Sequence, residues 1–208
     1  NNINQEGINF IDETDIKNAN LLGYKIKHIG LSEISEGKLI QRVNPCLIKK
    51  DSRLSNVNGV LNAVIIEGEP LGKSVLQGEG AGAGPTTSAL VSDICSILRG
   101  NLKYPFSVSY TKRKKINSID ISNQWFSNYI RLDVLDKKGV LSSITKIMSK
   151  NKISVKRLIQ DSFKGKKYAS LIIVSHKTQN KNIEKCINEL DKKNFVINRP
   201  KFIRIEEI

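Results

Sequence analysis

The sequence predicts a chain of two architectures: a mixed α/β part over residues 1–100 and an α+β part over residues 129–208. The first part joins several short strand patterns to one long amphipathic helix pattern. The second part alternates four strand patterns with two helix patterns in a βαββαβ order. Between them, residues 101–128 are polar and basic and show no sustained period, which indicates a linker.

The elements of the first part are predicted from periodicity and from turn residues. They are a short helix ending near Gly23, strands at 24–31 and 38–48, a turn with a short helix at 54–62, a buried strand at 63–67, a strand at 72–77 and a helix at 85–98. Pro45 indicates an edge or a bulge in the second strand, because proline has no backbone N–H. In the last helix, apolar residues recur every three or four positions, and Pro85 suits a first helical position.

The elements of the second part alternate more regularly. In order they read as strand YIRLDVLD, helix VLSSITKIMSKN, strand ISVKRLIQDS, strand YASLIIVSH, helix NIEKCINELDKK and strand FIRIEEI. This order predicts a small ferredoxin-like sandwich, with both helices on one face of an antiparallel sheet.

The charge distribution argues against a nucleic-acid-binding protein. The net charge is +14, but residues 1–100 carry 10 basic against 11 acidic side chains, and residues 101–208 carry 24 against 9. Aromatic residues are not interleaved with the lysines, and no nucleic-acid-binding motif is present. We therefore interpret the basic excess as a solvated surface and predict no nucleic-acid partner.

The sequence also indicates where in the cell the protein is located and whether the chain is part of a longer protein. No apolar run approaches the roughly 18 residues of a membrane span, and no signal peptide opens the chain, so we expect a cytoplasmic protein without a membrane partner. The three cysteines are far apart, which predicts buried reduced thiols and neither disulfides nor a metal cluster. Because the only methionine is Met148, we expect the sequence to be a piece of a longer protein.

A glycine-rich stretch, QGEGAGAGPTTSAL, runs directly into the predicted helix of the first part. It does not match G-x-G-x-x-G, because Ala83 stands where the third glycine is required, and it lacks the Gly-Lys-Ser/Thr of a P-loop. Two interpretations remain. The glycines either allow a tight structural crossing, or they open the backbone to a flat ligand beside a helix N-terminus.

Three segments of the first part carry a family resemblance: LGYKIKHIG, RVNPCLIKKDSRLSNVNGVLNAVIIEG and GKSVLQGEGAGAGPTTSALVSDICSIL. Together they resemble the C-terminal end of the homoserine dehydrogenase catalytic domain. The resemblance implies NAD or NADP as cofactor and interconversion of L-homoserine and L-aspartate 4-semialdehyde, in the biosynthesis of threonine, methionine and isoleucine. It also implies that Gly80, Ala81 and Gly82 lie against the bound dinucleotide.

The same resemblance implies that the catalytic lysines of the family, like its Rossmann portion, lie upstream of residue 1. We therefore predict no catalytic residue in this chain and no activity for the chain alone. His28 and His176 stand singly on predicted strands, without a carboxylate or cysteine at ligand spacing, so no metal site is predicted.

The second part resembles an ACT domain, an amino-acid-binding regulatory module, through the turn DKKGVL after its first strand. The resemblance implies a homo-oligomer, formed through the ACT and catalytic domains, with threonine as the expected effector. The predicted effector-binding residues are Asp136, Gly139, Val140 and Leu141. A helix that starts at Gly139 can receive a carboxylate on its first N–H groups, and Asp136 can receive an amine; alternatively, Asp136 only caps the helix.

A second function class remains open from the sequence. The chain could be a stand-alone amino-acid-sensing ACT protein fused to a catalytically inactive α/β remnant. In either class, residues 129–208 are expected to fold alone, because all four strands and both helices of the module lie within them.

Overall fold

The structure is a computed structural model that describes residues 3–101, 108–113, 116–162 and 168–208. In chain order its elements are β1 (Asn4–Gln5), α1 (Glu13–Leu21), β2 (Tyr24–Ser35), β3 (Lys38–Lys49), β4 (Leu61–Gly68), β5 (Gly72–Glu79), α2 (Ala83–Leu98), β6 (Trp125–Leu135), α3 (Val140–Lys150), β7 (Val155–Ser162), β8 (Tyr168–Ser175), β9 (Thr178–Gln179), α4 (Asn180–Asp191) and β10 (Lys201–Glu206). The chain divides into two compact units, one formed by residues 1–50 with 116–208 and one by residues 51–115.

The C-terminal part of the first unit has the predicted βαββαβ order. Its strands are arranged β10-β6-β8-β7, and each neighbouring pair is antiparallel. One face of β6, with Ile130 and Leu132, forms a buried cluster with Ile144 of α3 and with Ile183 of α4. Burial of these apolar side chains is the main favourable contribution to this packing. The predicted ferredoxin-like fold is confirmed.

The same sheet continues into the N-terminal residues. β3 pairs in parallel with β10 through Cys46–Ile48, β1 pairs with β3 at Arg42 and Val43, and β2 covers the opposite edge of β3. The compact units therefore do not follow the three predicted domains at 1–100, 101–128 and 129–208. The reason is that β3 and β10 share a hydrogen-bonded ladder, so the first 50 residues fold with the C-terminal part.

One local prediction for the first unit is wrong. β3 is a central strand without a bulge, and Pro45 lies between its β1-paired and β10-paired stretches. The predicted linker is also structured near its end, since Leu39 of β3 bonds to Asn117 and Ile119 and β6 already begins at Trp125. Lys114 and Lys115 of its basic run lie outside the described residues.

The second unit consists of the β4–β5 hairpin and α2. The hairpin is antiparallel from Leu61↔Glu79 to Gly68↔Gly72, and α2 starts two residues earlier than predicted. The expectation of a buried strand at 63–67 is wrong: Val64 and Ile66 are 56% and 46% exposed. The apolar residues of α2 predicted to share a face are exposed as well, namely Leu90, Ile94, Ile97 and Leu98.

The three cysteines are free. Cys46 and Cys186 are buried, and burial raises the pKa of each thiol to about 12. Both thiols are therefore protonated and unreactive at neutral pH. Within the part of the chain that the structure describes, no helix is long and apolar enough to cross a membrane.

Candidate cofactor loop and effector pocket

The glycine loop connects β5 to α2 in the second unit, and all its residues from Gly78 to Gly84 are exposed. The amide of Gly80 donates to the carbonyl of Val60 at 2.9 Å, at the open end of the β4–β5 hairpin. The carbonyl of Gly82 accepts from the Thr86 hydroxyl at 2.8 Å and from the Thr86 amide at 3.2 Å. The loop is thus fixed at both ends while its middle faces solvent.

The local structure requires glycine to different degrees at the four glycine positions of the loop. A Cβ on Gly80 would lie 1.8 Å from the Asn62 amide nitrogen, and Gly82 has a φ of +117°, a conformation that L-residues rarely adopt. At Gly78 and Gly84 a Cβ would meet no described atom within 4 Å. Backbone conformation therefore explains Gly82, whereas a side chain at Gly80 would only require the exposed Asn62 side chain to move. The bare backbone at Gly78 and Gly84 stays unexplained.

The start of α2 lies next to this loop and offers backbone N–H groups to a ligand. Gly82 occupies the N-cap position, and no side chain caps the helix. The first N–H groups of a helix have no partner within it and carry partial positive charge. Exposed glycine backbone next to such a helix start suits a planar or anionic group, and the predicted residues Gly80, Ala81 and Gly82 lie side by side there.

The second candidate site is the turn between β6 and α3 in the first unit. Asp136, Gly139, Val140 and Leu141 all line one pocket of about 120 Å³, so the structure brings together every predicted effector residue. Gly139 is the N-cap of α3 and has a φ of +85°, which explains the glycine. Because no side chain caps α3, Asp136 does not have the helix-capping role that was the alternative interpretation.

The remaining walls of the pocket come from other strands. Gln160 belongs to β7, Ala169 and Leu171 belong to β8, and Val134 lies at the end of β6. The sequence analysis did not identify these four residues, because their contact with the turn depends on β8 lying between β6 and β7. Leu135 and Lys137 line the pocket as well. The pocket thus combines a helix start without a side-chain cap, one carboxylate, one lysine and an apolar wall.

Comparisons with known proteins show which families the two parts of the chain are similar to. The profile of the family described as homoserine dehydrogenase matches residues 1–95, and that of the ACT domain matches residues 128–194. The homoserine dehydrogenase of Helicobacter pylori is 33% identical over 97% of this chain and 47% of its own length. That of Pseudomonas aeruginosa is 30% identical over 98% of this chain and 48% of its own length.

A solved structure agrees at the level of the fold. The crystal structure of a homoserine dehydrogenase from Thiobacillus denitrificans gives a TM-score of 0.85 at 28% identity, over 99% of this chain and 48% of that one. The chain spans about half the length of the curated relatives it matches. The two matches and the fold agree: residues 1–95 belong to the homoserine dehydrogenase family, and residues 128–194 form an ACT domain.

Proposed function

We propose that the complete protein is a homoserine dehydrogenase, which interconverts L-homoserine and L-aspartate 4-semialdehyde with NAD or NADP in threonine, methionine and isoleucine biosynthesis. The observation that carries the proposal is the match to homoserine dehydrogenases along 97% to 98% of the chain. We assign no catalytic residue within residues 1–208 and expect the chain alone to be inactive. The predicted cytoplasmic location stays a prediction.

In this proposal the glycine loop forms part of the dinucleotide site. The dinucleotide, when bound, accepts or donates the hydride. Gly80, Ala81 and Gly82 provide exposed backbone against which it lies, and the open space at Gly78 and Gly84 fits a close approach of this kind. The uncapped start of α2 faces the same exposed loop and favours a negatively charged or carbonyl group.

A substitution at Ala81 tests this role. Gly82 is unsuitable, because its φ of +117° would strain any side chain. Ala81 is exposed and has no positive φ, so Ala81→Leu adds bulk without backbone strain, and Ala81→Ser is the matched small control. In the complete protein we expect Ala81→Leu to raise the KM for the coenzyme about tenfold or more, with KM unchanged in Ala81→Ser. Equal coenzyme KM values in both folded variants would leave the loop with a structural role only.

We further propose that the pocket beside α3 binds an amino acid, with threonine as the expected effector. Its carboxylate bonds to N–H groups in the first turn of α3 that follow Val140, whose own amide donates to the Lys137 carbonyl at 3.3 Å. Its ammonium group pairs with Asp136. Its short side chain lies against the apolar wall at Val140 and Ala169. The small volume of about 120 Å³ favours a small amino acid over an aromatic one.

Leu141 offers the sharper test of this site. Leu141 is 38% exposed and lies in the first turn of α3, where a carboxylate does not harm the helix. Leu141→Glu places a negative charge beside the proposed carboxylate position. Two unit charges about 4 Å apart repel by roughly 4 kcal/mol at an effective dielectric constant near 20.

We therefore expect Leu141→Glu to lose threonine binding and threonine inhibition, while the neutral, equally large Leu141→Gln keeps most of both. Calorimetry reports binding, and an activity titration reports inhibition. Equal threonine affinity in the two variants would move the effector away from this turn. Threonine binding by a complete protein without dehydrogenase activity would favour the amino-acid sensor instead.

We also propose a homo-oligomer. The exposed apolar side chains of α2 and of the β4–β5 hairpin support it, because large exposed apolar patches mark interaction surfaces. Light scattering on the complete protein tests it, and a monomer at micromolar concentration would contradict it.

A further inference from the structure

Helix α1 is too short and too polar to be stable without its surroundings. It has nine residues, and its buried residues are Asp15, Asn18 and Ala19. Its two large apolar side chains, Ile16 and Leu21, are 50% and 75% exposed. Isolated helices shorter than about 12 to 15 residues are marginal in water. The order of α1 must therefore come from the surface on which Asp15, Asn18 and Ala19 lie, where Ala19 joins a buried apolar cluster with Leu47 and Tyr129.

That surface is the sheet of the ACT part. Asp15 is fully buried; it accepts a hydrogen bond from the Tyr129 hydroxyl at 3.0 Å and pairs with the Arg131 guanidinium at 2.9 Å. Asp12 pairs with Arg131 as well and with Lys201 of β10 at 2.7 Å. Burial raises the pKa of Tyr129, so its hydroxyl stays protonated and donates to Asp15.

The charges in this contact are matched. Burial opposes ionisation of Asp12, but hydrogen bonds from Lys201, the Asp15 amide and Arg131 together hold its pKa well below the ordinary value. Burial likewise disfavours the Arg131 cation, and Asp15 and Asp12 outweigh it and raise the pKa of Arg131. Two carboxylates thus face two cations, and removal of one partner leaves a buried charge uncompensated.

The two aspartates that hold α1 on the sheet also start the helix. Asp12 accepts a hydrogen bond from the Asp15 amide at 3.1 Å, and Asp15 accepts one from the Asp12 amide at 3.2 Å. This reciprocal pair is a capping box. Helix initiation and docking therefore use the same two side chains, and loss of Arg131 removes the group that orients both.

The other face of the sheet has a second connection between the N-terminal residues and the ACT part. Arg204 of β10 is 1% exposed and binds both carboxylate oxygens of Glu6, at 2.7 and 2.8 Å. Arg42 of β3 pairs with Glu206 of β10 at 2.8 Å. Together with the parallel β3–β10 ladder, these pairs hold β1 and β3 on the edge of the ACT sheet.

We propose that the ACT part has a second role besides effector binding: it is the template on which residues 3–50 of the homoserine dehydrogenase segment fold. The contact of Asp12 and Asp15 with Arg131 and Lys201 fixes α1 on that template. A protein shortened before β6 then loses the order of α1 and β3 and not only its regulation. Because Arg131 and the pocket residue Leu135 lie on the same strand, α1 is also attached directly to the strand that ends at the effector turn.

Hydrogen–deuterium exchange of the 208-residue chain tests the proposal. The test variant is Arg131→Gln. The control is Lys150→Gln, which removes an ion pair of similar length, 2.9 Å to Glu189, between α3 and α4. We expect amides of α1 and of the following turn to exchange about tenfold or more faster in Arg131→Gln, with α3 and α4 unchanged. Lys150→Gln should leave α1 as in the parent.

Two outcomes contradict the proposal: unchanged exchange of α1 in folded Arg131→Gln, or equal acceleration in α1, α3 and α4. If Arg131→Gln does not fold, Lys201→Gln replaces it, because Lys201 is 26% exposed and its removal is milder. It should speed exchange of α1 alone, and no change in α1 would again overturn the proposal. The experiment requires neither coenzyme nor threonine, so its result is separate from that of the proposed function.

Discussion

The two compact units differ in how much of their order comes from their own residues. In the unit of residues 1–50 and 116–208, buried clusters lie on both faces of one sheet. In residues 51–115, the only buried residue that the structure describes is Ser55. The candidate effector pocket thus lies on a unit with its own core, while the candidate cofactor loop lies on a unit that buries few of its own described side chains. We infer that dinucleotide binding depends on a larger assembly and that effector binding does not.

The largest effect is expected from separating the units. A peptide of residues 51–115 should show no cooperative thermal transition, because one hairpin and one exposed helix cannot bury enough apolar surface. A chain in which residues 52–114 are replaced by a flexible linker should keep a cooperative transition. Circular dichroism during heating measures both. A sharp transition in the isolated peptide would remove the contrast between the units.

Replacing one isoleucine in each unit by alanine should give a smaller difference, measured in the free energy of unfolding. Ile144 on α3 is 0% exposed, and Ile94 on α2 is 55% exposed. In this chain, Ile144→Ala should lower the free energy of unfolding by about 2–5 kcal/mol, because it leaves a cavity in the core. Ile94→Ala should change it by less than about 0.5 kcal/mol, as expected for exposed sites. Urea denaturation checks both, and equal losses would show that α2 is packed as tightly as α3.

The smallest effect concerns acid stability. The pKa of Asp12 is lower in the folded chain than its ordinary value of 3.8, so the folded state retains this charge at lower pH. Its contribution is complete above pH 3.8 and is lost as pH falls toward the depressed pKa. Since Asp12 is 45% exposed, we expect less than about 1 kcal/mol.

Asp12→Asn isolates this charge, because asparagine is an equally good N-cap. The variant should be less stable than the parent near neutral pH, and the difference should shrink as pH falls below about 4. Glu33→Gln, at an exposed position of β2, serves as the control in the same urea titrations. A stability difference that does not change with pH would mean that Asp12 acts through packing and not through its charge.

The sequence was sufficient for features that depend on local order. The strand and helix periods of residues 129–208 predicted the ferredoxin-like fold, and the resemblance of DKKGVL to the ACT turn predicted the residues that line the pocket. Prediction failed where the partner is remote. Asp12 and Arg131 are 119 positions apart, and a contact at that separation leaves no local pattern. The parallel pairing of β3 with β10 leaves none either.

Burial was also misjudged for a physical reason. The apolar periods of β4 and α2 indicate a face that is covered, but they do not say by what. Within residues 51–115 that face stays exposed, so Val64 and Ile94 look like core residues in the sequence and lie at the surface here. Periodicity predicts which side chains share a face. Only a structure shows which surface, if any, covers that face.

The central proposal is that this chain is part of a homoserine dehydrogenase whose activity is inhibited by an amino acid. The most direct measurement follows absorbance at 340 nm as the complete protein is mixed with L-homoserine and NAD or NADP, with and without L-threonine. We predict reduction of at least one dinucleotide that depends on homoserine and is inhibited by threonine. A folded complete protein that reduces neither dinucleotide would contradict the claim.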